Sequence, residues 1–143
     1  MLLAILNQLL AALAVILAIR FGEASERAGA FVILLMILVS DIRFVTDYLT
    51  YFSVDYIAFL CDISGFIGFS IIGIFQKRIW PLWAAALQLL SVGAHFVRAL
   101  ELPVRPIVYA WMKAGPTWAV LFLLIAATIA NLRWRSLQNN ERS

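Results

Sequence analysis

A chain of 143 residues in which 64% are hydrophobic and only 13% are charged is not an ordinary water-soluble domain. Its mean hydropathy is +0.97, and a soluble fold of this size needs far more polar surface. The formal net charge of +3 does not indicate nucleic-acid binding, because the eleven Lys and Arg residues are scattered at the ends of apolar runs. The single cysteine, Cys61, excludes an intrachain disulfide and a cysteine-based metal cluster.

The first three apolar runs predict three helices, each about 20 residues long, which is the length that crosses a hydrocarbon core of about 30 Å. The first helix is predicted over residues 2–19 and ends at Arg20. A polar turn precedes the second helix, which is predicted over residues 28–52. A tight hairpin at Ser53 then leads into the third helix, over residues 54–75.

Two further helices follow after a short basic turn. The fourth is predicted over residues 79–102, with a proline in its first turn, where proline is tolerated. The fifth is predicted over residues 106–132 and contains Gly115-Pro116. Such a proline usually only kinks a helix, although broken helices at this depth line binding sites in transporters. Residues 133–143 are expected to form a polar, frayed cytoplasmic tail.

These elements predict an all-α fold, a single polytopic transmembrane helical bundle over residues 1–132 with about five spans. Four spans and one interfacial helix is the alternative. Short loops on the cytoplasmic side of a membrane are enriched in basic residues. With the C-terminus inside, Arg105 is the only basic residue in the outer loops. The inner side then holds Arg20, Arg27, Lys77, Arg78, Arg133, Arg135 and Arg142. We therefore expect a multi-pass protein of a bacterial inner membrane, surrounded by lipid, with its N-terminus outside.

Charged residues also occur inside the predicted spans, where an unpaired ion costs several kcal/mol. Three acids and three bases balance one another: Asp41, Asp47, Asp62, Arg43, Arg98 and Lys113. We estimate the depth of each residue from its distance to the midpoint of its predicted helix. Asp41 and Asp62 then lie close to the membrane centre, and the other embedded charges lie toward the outer face. Paired charges in a low-dielectric interior predict an internal polar site.

The fourth helix gives the clearest polar pattern. Gln88, Ser91, His95 and Arg98 follow one another at spacings of three and four residues, which places them on one helix face. Lipid tails offer these side chains no hydrogen bonds. This face of the helix must therefore point into the bundle, a water-filled cavity or a partner chain. The predicted binding residues are Asp41, Arg43, Asp47, Asp62, Gln88, His95, Arg98 and Lys113.

Each feature also has a purely structural interpretation. Arg43 with Asp47 and Arg98 with Glu101 are spaced for ion pairs along a helix. A lone histidine such as His95 is more often a hydrogen-bonded core residue than a ligand. Strips of small residues predict close helix packing, namely Ala4, Ala11, Ala14 and Ala18 with Asn7 on the first helix, and Ala58, Cys61, Gly65 and Gly68 on the third.

No motif in the sequence indicates an enzyme, because there is no second histidine for a zinc site and no glycine-rich phosphate loop. We expect no catalytic residues, no metal and no cofactor. The alternative is an acid/base site of Asp41, Asp62 and His95 that acts on a lipid head group. The first hypothesis is that the polar site binds or conducts a proton, an ion or a small polar ligand that enters from the outer side. The second is an accessory or assembly subunit of a larger membrane complex. Its interface would be the polar face of the fourth helix, Gln88, Ser91, His95 and Arg98, which is called the polar stripe below. A homo-oligomer is compatible with the first hypothesis.

Overall fold

A computed structural model describes residues 2–47, 56–100 and 105–141. Within these ranges the chain forms five α-helices and no strand, so the predicted all-α helical bundle is confirmed. The helices are α1 (Leu2–Phe21), α2 (Ala24–Asp47), α3 (Tyr56–Gln76), α4 (Ile79–Ala99) and α5 (Pro106–Asn140). The predicted hairpin at Ser53 and the ion-pair partner Glu101 lie outside the described residues.

The connection between α1 and α2 is shorter than predicted. It consists of two residues, Gly22 and Glu23, and α2 begins at Ala24 rather than at residue 28. The cause is a local cap, because the Glu23 backbone N–H donates to the Glu26 carboxylate over 2.8 Å. This carboxylate also accepts the Ser25 hydroxyl over 2.8 Å and is buried, which satisfies groups that a helix start otherwise leaves unpaired.

The end of α5 also differs from the prediction. The helix continues to Asn140, whereas a polar tail was predicted from residue 133. The segment contains Arg, Leu and Gln, which favour helix, and the Ser136 hydroxyl bonds back to the Arg133 carbonyl over 2.8 Å. The helix also runs without interruption past Pro116, so the alternative of a broken helix at Gly115-Pro116 is not what the structure has.

Three helical segments are long and apolar enough to cross a membrane: Tyr56–Gln76, Ile79–Val97 and Gly115–Asn140. The described part of α1 contains a shorter apolar helix, Ile5–Phe21. Large apolar side chains lie exposed on the outside of the bundle, among them Leu9 on α1 and Ile74 on α3. In a membrane protein this surface faces lipid rather than water.

The five helices form a closed ring. Each helix packs against its neighbours in the chain, α1 also packs against α5, and α2 contacts α5 across the ring. Small residues allow this close approach, since Ala11, Ala14 and Ala18 on α1 are almost fully buried. Three alanines of the packing strip predicted on the first helix therefore lie at helix contacts, while the side chain of Ala4 is outside the described part of the structure.

One end of the bundle is held by charges from three parts of the chain. Glu23, between α1 and α2, accepts hydrogen bonds from Arg78, which follows α3, and from Arg135 on α5, the latter over 3.2 Å. These three residues are called the Glu23 cluster below. Both arginines are about half exposed, so the cluster contributes little to stability. It does show that these three chain segments lie at the same end of the bundle.

Candidate functional site

A hydrogen-bonded carboxylate joins α3 to α4. The Oδ2 atom of Asp62 on α3 accepts the Ser91 hydroxyl over 2.7 Å and lies 3.1 Å from the Nε2 atom of His95. Ser91 and His95 are four residues apart on α4, so they share a helix face and reach the same oxygen. The side chains of His95 and Asp62 are 8% and 16% exposed, which places the group inside the bundle.

The His95 ring is fixed by an aromatic neighbour as well as by Asp62. The Phe59 ring on α3 packs edge-to-face against it, with ring centroids 5.7 Å apart, and makes a similar contact with Phe96. A histidine nitrogen that bonds a carboxylate carries the proton, and neutral and protonated imidazole both provide such an N–H group. When Asp62 is a carboxylate, the contact is a hydrogen bond that the Nε2–H group of His95 donates.

The order of these contacts differs from that of a hydrolytic triad. In a triad, histidine lies between the serine nucleophile and the acid. Here Asp62 lies between Ser91 and His95, because both donate to the same carboxylate oxygen. This arrangement fixes the position of the Asp62 carboxylate rather than activating Ser91 as a nucleophile.

Asp62 and Ser91 line a cavity of about 190 Å³ at the centre of the ring, to which all five helices contribute. Its described polar lining residues are Asn7, Gln8, Ser40, Asp62, Gln88, Ser91 and Thr117. Apolar side chains such as Ile33 and Leu121 form the rest of the wall. A cavity of about 150 Å³ holds a molecule the size of benzene, so this one accommodates a small molecule or several waters.

Within the described part of the chain, one buried polar atom at the cavity has no partner. Asn7 lines the cavity from α1, and its side-chain oxygen Oδ1 is buried without a hydrogen bond from any described residue. Buried polar atoms are nearly always paired, and an unpaired one calls for an explanation such as a bound water or ion. Asn7 is therefore a site residue that the sequence analysis placed only in a packing strip.

Gln88 and Cys61 meet at Met36 on α2. The Gln88 amide nitrogen lies 3.8 Å from the Met36 sulfur, and the Cys61 sulfur lies 3.6 Å from the Met36 carbonyl oxygen. Gly65 leaves room for the same methionine, because a Cβ atom at this position would lie 2.8 Å from its sulfur. These contacts pack α2 against the polar faces of α3 and α4.

The structure brings together three of the eight predicted binding residues. Asp62 and Gln88 line the cavity, and His95 bonds Asp62. The described part of the polar stripe, Gln88, Ser91 and His95, is buried within the chain's own bundle. The remaining five lie on α2, α4 and α5, their side chains are outside the described part of the structure, and their roles stay predictions: Asp41, Arg43, Asp47, Arg98 and Lys113.

The cavity lies far from the Glu23 cluster. Asp62 is about 21 Å from the end of α3 at Gln76, at about 1.5 Å per residue. With Gln76 at one edge of a hydrocarbon layer of about 30 Å, the carboxylate would lie beyond the midplane, in the half that is remote from the cluster. No protein-family model, no curated protein and no solved structure matches this chain.

We predict that Ser91→Ala lowers the free energy of unfolding by about 1.5–3 kcal/mol, because it removes a hydrogen bond to a buried carboxylate. Ser70→Ala is the matched control, since the Ser70 hydroxyl bonds the Phe66 carbonyl of its own helix. We expect a change of less than about 0.5 kcal/mol for this variant. Reversible unfolding in mixed micelles measures both, and equal losses would contradict the assigned hydrogen bond.

Proposed function

We propose that this protein is a multi-pass integral membrane protein that binds a small polar species, an ion, a proton or a small molecule, in the cavity between its helices. Asp62 is the central binding group in this proposal. The observation that carries it is the position of the Asp62 carboxylate, which Ser91 and His95 hold at the wall of a cavity shared by all five helices. The same proposal includes transport, in which the bound species is conducted across the membrane.

The cost of placing an acid in this position supports a binding role. A buried charged group is often no more stabilising than a well-packed apolar residue, so stability alone does not account for Asp62. Ionisable residues inside membrane spans typically belong to binding sites, proton relays or ion pathways. The Asp62 carboxylate is such a group. Ser91 and His95 hold it in place beside a cavity that a ligand can fill.

The accessory-subunit hypothesis stays a prediction, as does assembly into a homo-oligomer. The part of the polar stripe that was expected to meet a partner, Gln88 to His95, is buried inside this chain's bundle. That burial favours an internal cavity over an interface as the role of the stripe.

The proposal also includes an orientation in a bacterial inner membrane, with the Glu23 cluster at the cytoplasmic face. Two basic residues of the cluster, Arg78 and Arg135, lie at the same end of the bundle. Lys77 adjoins Arg78, and Arg133 lies on α5 close to Arg135. Basic residues accumulate on the cytoplasmic side, so the C-terminus of α5 is inside and the cavity lies in the outer half.

For this orientation we predict that a green fluorescent protein fused after Ser143 is fluorescent in bacterial cells, and that alkaline phosphatase at the same position is inactive. The first reporter folds in the cytoplasm and the second in the periplasm. The same pair of reporters fused before Met1 should give the opposite result. An active C-terminal phosphatase would contradict the orientation and leave the binding proposal intact.

For binding, we predict that at least one probe from a panel of small solutes raises the melting temperature of the purified protein by about 2 °C or more, since a ligand stabilises the state that binds it. The panel contains sodium, potassium, ammonium and n-butylammonium chlorides, sodium acetate, sodium butyrate and n-butanol at millimolar concentration. Asp62→Asn should abolish the shift because it removes the charge and keeps the shape.

Glu141→Gln is the control for this experiment, because Glu141 lies exposed at the end of α5, away from the cavity. This variant should respond as the native protein does. A native protein that responds to no probe, or an Asp62→Asn protein that responds like the native one, would overturn the proposed function.

A further inference from the structure

Two acceptor atoms at the cavity wall lack donors from the described residues. The Asn7 Oδ1 atom is buried and has no hydrogen-bond partner among them. Both bonds to the Asp62 carboxylate fall on Oδ2, which leaves Oδ1 without a donor from the part of the chain that the structure describes. Acceptors that the protein leaves unpaired are satisfied by a molecule that brings its own N–H or O–H groups.

The charge of the described lining favours a cation. Asp62 is the acid among the described lining residues, and these residues include no Lys, Arg or His. His95 lies behind Asp62 rather than in the lining, and a neutral imidazole is sufficient to donate its Nε2–H to the carboxylate. With the Asp62 carboxyl ionised, the described lining carries one negative charge in a low-dielectric interior, where an opposite charge is attracted strongly.

The size and the apolar part of the cavity favour an organic ligand over a bare ion. The volume is about 190 Å³, larger than the roughly 150 Å³ that encloses benzene. Ile33 on α2 and Val120 and Leu121 on α5 form an apolar wall. A hydrocarbon chain of a few carbons gains binding energy from such a wall, whereas a metal ion or ammonium does not.

We infer that the cavity takes a small organic ammonium ion. Its N–H groups donate to the Asp62 carboxylate, the Asn7 carboxamide supplies a second acceptor, and its short hydrocarbon part packs against Ile33, Val120 and Leu121. This inference rests on the proposed function and narrows it to one chemical class of ligand. The organic ammonium class is inferred from the cavity lining. The net charge of the chain and the balance of its embedded acids and bases do not indicate it.

The test is calorimetric titration of the full-length protein in lipid nanodiscs with five probes. They are n-butylammonium, ammonium, potassium, butyrate and n-butanol. We expect n-butylammonium to bind at least about tenfold more tightly than ammonium or potassium, because only it combines the charge with an apolar chain. Butyrate has the same chain with the opposite charge and n-butanol has it without charge, so both should bind at least about tenfold more weakly.

Variants then assign the contacts. Asp62→Asn should weaken n-butylammonium binding by about tenfold or more, and Asn7→Ala by about threefold to tenfold, the ranges expected for a charged and a neutral hydrogen bond. Glu141→Gln should leave the affinity unchanged. If Asp62→Asn fails to fold, the five probes on the native protein and the Asn7→Ala variant still test the inference.

The outcomes separate the inference from the proposed function. Butyrate or n-butanol binding that depends on Asp62 and is as tight as that of n-butylammonium would overturn the cationic class and leave a ligand site in place. Equal affinities for ammonium and n-butylammonium would overturn the organic class in the same way. An n-butylammonium affinity that neither Asp62→Asn nor Asn7→Ala changes would overturn the assigned contacts. A protein that binds none of the five, and that no member of the wider solute panel stabilises, would overturn both.

Discussion

The Asp62 carboxylate must find its hydrogen-bond donors inside the helix bundle, because lipid offers none and an unsatisfied ion in the membrane is costly. Ser91 and His95 meet this need from one face of α4. That requirement fixes the rotation of α4 relative to α3 and turns the rest of the polar stripe, including Gln88, into the bundle. Large apolar side chains then occupy the outside of both helices. The polar interior and the apolar exterior are therefore two consequences of one buried acid.

Packing differs between the two ends of the bundle, and the cavity follows from that difference. Toward the Glu23 cluster, alanines on α1, the buried Phe69 and the partly buried Trp80 that packs against it fill the space between helices. Toward the other end, the described side chains that face one another include amides, hydroxyls and the Asp62 carboxylate among apolar residues, and the five helices border a cavity. A close-packed end and an end with a polar cavity suit a site that is reached from one side. This asymmetry connects the fold to the proposed binding function.

The sequence predicted α3 and α4 well, because Gln76 to Arg78 interrupt a long apolar region and the three-and-four spacing on α4 marks its polar face. It misplaced the start of α2, where the Glu26 side chain caps the helix within a stretch that looks like a polar turn. It also ended α5 too early, since charged residues near a C-terminus are equally typical of a tail and of a helix that leaves the membrane. Asn7 could not be singled out, because an amide in an apolar helix becomes a site residue only when the other four helices converge on it. Which acid bonds which partner depends on helix rotation, and a single sequence does not determine rotation.

The central claim is that Asp62 and Ser91 are bonded to each other within one chain. A double-mutant cycle of Asp62→Asn, Ser91→Ala and the double variant measures this interaction, with the free energy of unfolding as the readout. Because the bond involves a buried carboxylate, the account predicts a coupling free energy of about 1.5–3 kcal/mol. Additive effects, with a coupling below about 0.3 kcal/mol, would show that the two residues act independently and would contradict the account.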